Sequence, residues 1–81
     1  MYKTLIQSFS SRNVAQFDND HCIVRHAGYE YTVEYGDVDF RNNYGEAYAI
    51  EMYRPGALMS DHFDVVNSIQ DVVSWILDSA R

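Results

Sequence analysis

His21, Cys22 and His26, with Asp18 and Asp20 just upstream, are the densest group of metal-ligating and nucleophilic side chains in the chain. A zinc centre needs four such ligands converging, or three and an open position. On an extended strand successive side chains point to opposite faces, so Cys22 and His26 share a side while His21 looks away. Closed zinc sites show paired ligands at short spacing, a pattern these residues do not match. Cys22 therefore reads as a small core hydrophobe. The two histidines read as structural, and no metal is expected.

Two other stretches begin to resemble a site and then depart from it. Asp37-Val38-Asp39 opens like a calcium loop, but position five is Arg41, position six is Asn42 instead of glycine, and position twelve is Tyr48 instead of glutamate. Ser60-Asp61-His62 is a local polar run with no nucleophile elbow around it. There is no glycine-rich phosphate loop. A chain this short would also need help to enclose a pocket of about 300 Å³ or more. The expectation is a non-enzymatic protein that uses no cofactor.

The elements that must hold these residues are legible from periodicity. Tyr29-Glu30-Tyr31-Thr32-Val33-Glu34-Tyr35 alternates aromatic or β-branched residues with polar ones, the signature of a half-buried strand. Cys22 to His26 forms a preceding strand, and Ala27-Gly28 turns the chain between the two as a hairpin. Tyr48 to Tyr53 is a third strand, stopped by Arg54-Pro55-Gly56 because proline cannot donate to a ladder. Leu58-Met59 or Phe63-Val66 is available as an additional edge strand. Asp37 through Gly45 is a polar connection.

Tyr2, Leu5, Ile6 and Phe9 fall at helical spacing, which predicts a short N-terminal helix before a break at Ser10-Ser11-Arg12-Asn13. The next segment, around Val14 and Phe17, fits either a helical turn or a strand. Asp18-Asn19-Asp20 is a turn cluster. Near the C-terminus, Ser68-Ile69-Gln70-Asp71 has the Ser-x-x-Asp form of a helix start. Ile69, Val72, Val73, Ile76 and Leu77 form one stripe, with Trp75 at its edge and Arg81 suited to the helix's negative end. Together these predict one α+β domain spanning residues 1–81: a small antiparallel sheet of three to four strands, one face covered by the C-terminal amphipathic helix.

Composition then limits the partners. The chain has 81 residues, 12 acidic and 6 basic, for a formal charge of −6. Negative charge disfavours direct nucleic-acid binding and anionic membrane surfaces, since both depend on neutralising phosphates. It suits a larger protein with a basic surface, including a surface that normally holds nucleic acid. Solubility alone also accounts for an acidic chain. One cysteine rules out an internal disulfide and fits a reducing compartment. With no signal segment or apolar run of about 18 residues, a cytoplasmic protein is expected. Beginning at Met1, the chain reads as a complete small gene product.

Seven tyrosines and an arginine-over-lysine preference match the usage of binding surfaces. Tyr29, Tyr31 and Tyr35 have two readings, as an interface or as packing beneath the C-terminal helix. The expected partner-binding residues are Glu30, Glu34, Asp37 and Asp39 for electrostatic approach and Tyr44 for desolvated contact. A small, acidic, cysteine-poor, single-domain chain of this kind is similar in profile to virus-encoded inhibitors of bacterial defence, including anti-CRISPR proteins. That similarity implies inhibition of a host protein in the host cytoplasm, and no family motif accompanies it. The alternative is a small regulatory or structural domain acting as a homodimer, its Tyr48–Tyr53 strand pairing across a two-fold axis.

Overall fold

The computed structural model describes residues 1–37 and 46–79. Their order is helix α1 (Tyr2–Phe9), a 3₁₀ turn at Ser11–Asn13, strands β1 (Val14–Asp18), β2 (His21–His26), β3 (Tyr29–Asp37), β4 (Glu46–Tyr53) and β5 (His62–Val66), and helix α2 (Ile69–Ser79). The strands form one antiparallel sheet in sequence order, β1-β2-β3-β4-β5. The architecture is the α+β arrangement expected, with five strands where periodicity predicts three to four.

The extra strands come from the two segments whose sequence is ambiguous. Residues 14–18 are a strand, not a helical turn, and its ladder to β2 is irregular between Gln16 and Asp18. A bulge adds a residue and breaks alternation, which is why the period is unreadable there. At the other edge the strand is His62–Val66, while Leu58 and Met59 lie in the preceding loop. β4 is hydrogen-bonded to β3 and to β5. It is therefore not an edge, and the alternative of a dimer through Tyr48–Tyr53 has no open sheet edge to use. The outer strands are β1 and β5.

Local chemistry sets the turns. Ala27 and Gly28 sit at φ 52° and 83°, the left-handed pair that a two-residue hairpin requires. Asp18 Oδ1 accepts from the Asp20 N–H at 2.8 Å, closing the β1–β2 turn. After β4, the Ala57 N–H donates to the Arg54 carbonyl at 3.0 Å, with Pro55 and Gly56 (φ 76°) at the central positions of a type II turn. α1 stops where Ser10 turns to φ 70°, and Asn13 Nδ2 donates to the Phe9 carbonyl at 2.9 Å. α2 starts as its sequence predicts: Ser68 Oγ accepts from the Asp71 N–H at 3.1 Å.

Both helices pack on one face of the sheet. The core joins Leu5 and Phe9 of α1 and Val72 and Ile76 of α2 to Val14, Cys22, Val24, Tyr31, Val33, Ile50 and Met52. Ile69 and Val73 are half-buried against it. Trp75 completes the α2 stripe in place of Leu77, which is 45% exposed. The indole tips toward the sheet because its Nε1–H donates to Asp64 Oδ2 at 3.0 Å. The odd residues of β3 face this layer: Tyr31 is fully buried, and Tyr29 and Tyr35 are half-buried. Packing beneath the helices is thus observed for Tyr31, and Tyr29 packs against the same core. Tyr31 stacks edge-on to Trp75 at 6.1 Å, and Tyr35 meets Tyr48 at 4.7 Å between ring centroids. No helix among the described residues is long and apolar enough to cross a membrane.

Two substitutions test this core. Ile76→Asp places a charge among Leu5, Val72 and the sheet, a cost of several kcal/mol against a total stability of about 4–12 kcal/mol for a chain of this size. Circular dichroism should show the variant unfolded, and an unchanged melting curve would refute helix-on-sheet packing. The Tyr31 hydroxyl is buried with no hydrogen-bond partner among the described residues. Tyr31→Phe removes a group that costs about 1–3 kcal/mol when unsatisfied, so its Tm should match or exceed that of the parent. A Tm lowered by several degrees would count against this.

Candidate functional site

The ladder registers lay out the other face of the sheet as three rows of paired residues. One row runs His21, Glu34, Ala49, Val65; the next runs Ile23, Thr32, Glu51, Phe63; the third runs Arg25, Glu30, Tyr53. No described element covers these rows. Aromatic rings mark both edges. Phe17, the extra residue at the β1 bulge, is 64% exposed and lies 5.4 Å from the His21 ring, while Phe63 on β5 is 40% exposed. This open face is the candidate site: a polar centre on the three inner strands, with apolar rings toward the outer two.

Strand parity explains the composition. On β3 the same two-residue period that buries Tyr31 and Val33 sends Glu30, Thr32 and Glu34 to the open side. On β4 it buries Ile50 and Met52 and sends out Ala49, Glu51 and Tyr53. Glu30 is matched by Arg25 across the strand pair at 3.9 Å, an exposed contact worth at most about 1 kcal/mol. Tyr53 donates its hydroxyl proton to Glu51 Oε2. That hydrogen bond, with some burial, pushes the Tyr53 phenol above its usual range. Glu34 and Glu51 have no ion-pair partner among the described residues. Between them the sheet surface dips into a recess of about 210 Å³, lined by His21, Thr32, Glu34, Ala49, Glu51 and Tyr53. The small Ala49 and Thr32 side chains leave that space.

Of the expected partner-binding residues, Glu30 and Glu34 lie together on this face. Asp37 is the last residue of β3, in register with Glu46, and Asp39 and Tyr44 lie outside the described residues. Sequence reasoning missed Glu51, Tyr53, Phe17 and Phe63. The signal for Glu51 and Tyr53 was present, since they alternate with Ile50 and Met52, but an aromatic at Tyr53 resembles a core position. Phe17 could not be assigned a face without the bulge.

The group with apparent metal-site chemistry is divided by the sheet. His21 is on the open face, whereas Cys22 is fully buried and His26 packs edge-on to Phe9 at 5.2 Å. Burial raises the Cys22 thiol above its usual range, which disfavours the thiolate needed for nucleophilic attack. Among the described residues no three His, Cys, Asp or Glu side chains converge on a common point. Asp61 of the Ser60-Asp61-His62 run pairs with Arg54 at 2.9 Å and ties down the loop that carries Leu58. A cleft of about 400 Å³ at the end of the β2–β3 hairpin lies between His26, Tyr29 and Pro55, with the paired Arg25 and Glu30 at its rim.

Comparison with protein-family models, curated proteins and solved structures finds no match to this chain. The class that can be stated is therefore architectural: a five-stranded antiparallel meander with two helices on one face.

The Tyr53–Glu51 bond can be read spectroscopically. Its stabilising effect is fully present below the ordinary phenol pKa near 10 and fades as pH rises through the elevated value. In a tyrosinate absorbance titration, Tyr53→Phe should remove a phenol that ionises late, and Glu51→Gln should bring that ionisation earlier. A titration curve unaffected by Glu51→Gln would show that the bond does not form in solution.

Proposed function

We propose that the protein is a non-enzymatic binding module: an acidic inhibitor that docks its open sheet face onto a basic surface of a larger protein. The observation that carries this reading is the sheet's asymmetry. The two helices bury one face, while the other presents Glu30, Glu34 and Glu51 between the exposed rings of Phe17 and Phe63. Carboxylates there supply long-range attraction, and the aromatics supply contacts that gain from losing water. With an overall charge of −6, approach to a basic target is favoured from all directions.

In this reading the target is a host protein of a bacterial defence system, and the chain is a virus-encoded, anti-CRISPR-like factor acting in the host cytoplasm. Support for that narrower statement is the profile of small size, acidity and a single buried cysteine. Inhibition results when the basic surface so occupied is one the target needs for nucleic acid.

The test begins with affinity capture from bacterial lysate and proceeds to kinetics with the purified partner. Raising salt from about 0.05 to 0.5 M should slow association by tenfold or more while dissociation changes less. Reversing charge at Glu30 and Glu34, and at Asp37 and Asp39 further along the sequence, should act on the on-rate. Phe17→Ala and Phe63→Ala should act on the off-rate. An on-rate insensitive to both salt and charge reversal would end the steering mechanism. Light scattering that shows a stable dimer, with capture lost at the same substitutions, would favour the homodimer instead.

A further inference from the structure

We infer that the centre of the open face receives a single arginine side chain of the partner protein, its guanidinium lying between Glu34 and Glu51 and against the Tyr53 ring. This deepens the docking reading and rests on it. Glu34 pairs with Ala49 and Glu51 pairs with Thr32, so the two carboxylates are diagonal neighbours on adjacent strands. Such neighbours stand about 7–8 Å apart. The third carboxylate of the face, Glu30, has its cation in Arg25, whereas Glu34 and Glu51 have none among the described residues. Two like charges on one exposed patch repel each other, and one cation placed between them relieves that repulsion.

The recess between them fits this occupant in size and in chemistry. At about 210 Å³ it is smaller than the roughly 300 Å³ at which small-molecule pockets begin, so it suits one side chain. A planar guanidinium presents donors on several edges and can reach carboxylates on both sides at once, which a point-like ammonium does less well. Tyr53 forms one wall of the recess, and its hydroxyl bond to Glu51 fixes the ring beside that carboxylate. An aromatic ring held there favours a guanidinium stacked on its face. The Thr32 hydroxyl adds a further acceptor on the recess lining.

Isotope-labelled protein titrated with N-acetyl-arginine amide, N-acetyl-lysine amide and N-acetyl-citrulline amide tests the inference directly by NMR. The arginine probe should shift the backbone amides of Thr32, Glu34, Ala49, Glu51 and Tyr53 along a saturating curve. The lysine probe should bind severalfold more weakly, because a point-like ammonium neither stacks flat on the Tyr53 ring nor bridges two carboxylates as a planar guanidinium does. Uncharged citrulline should leave these amides in place. Glu34→Gln and Glu51→Gln should each weaken the arginine response, and Tyr53→Ala should erase the preference over lysine. The dispersion of each variant's spectrum checks that it is folded. Equal response to lysine, shifts scattered over the surface, or a response surviving both glutamine variants would overturn the arginine seat. Any of those results would leave the docking reading standing, because that reading fails on salt-insensitive association with the whole partner.

Discussion

β3 is hydrogen-bonded to β2 on one side and to β4 on the other, so each of its side chains has only two directions to take. Its odd positions carry Tyr29, Tyr31, Val33 and Tyr35, and its even positions carry Glu30, Thr32 and Glu34. A register slip of one residue would bury the glutamates and expose the tyrosines. That penalty applies to both neighbouring ladders at once, since Val24 pairs with Tyr31 and Val33 pairs with Ile50. The identity of the core, the side on which the helices dock and the charge of the uncovered surface all depend on this one alternation.

The remaining elements reinforce it with local chemistry. Each strand pairs with its neighbour in sequence, so the sheet assembles through short connections. Local contacts of that kind cost little loop entropy and favour fast folding for a β-rich chain. The two helices then close opposite ends of the sequence over the same surface. α1 contributes Leu5 and Phe9, and α2 contributes Val72 and Ile76. Trp75 links the second helix to the edge strand β5 through Asp64, adding a side-chain tie to the ladder that holds β5 to β4.

Much of this was legible in the sequence because it depends on period and punctuation. The alternation from Tyr29, the Ala27-Gly28 hairpin, the Arg54-Pro55-Gly56 stop and the Ser68 cap each have a local cause, and each stands where the residues imply. What failed to show has equally local reasons. The bulge in β1 removed the alternation that would have marked Phe17 as facing outward. Trp75 took the place expected of Leu77 because a distant partner, Asp64, turns its ring. The candidate surface was only half visible. Glu30 and Glu34 lay on the best strand, but Glu51 and Tyr53 join them only through the β3–β4 register, a relation between positions about twenty residues apart that no local pattern carries.

The placement of both helices on one side also fixes where a handle can be added without touching the open face. α1 and α2 both belong to the layer opposite that face, and Lys3 and Gln70 on them are exposed. A bead or a dye carried on either residue is thus joined on the reverse side of the sheet. The molecule behaves as a plaque with its fixings at the back: it can be tethered by either helix, or by both, and still present the same surface outward.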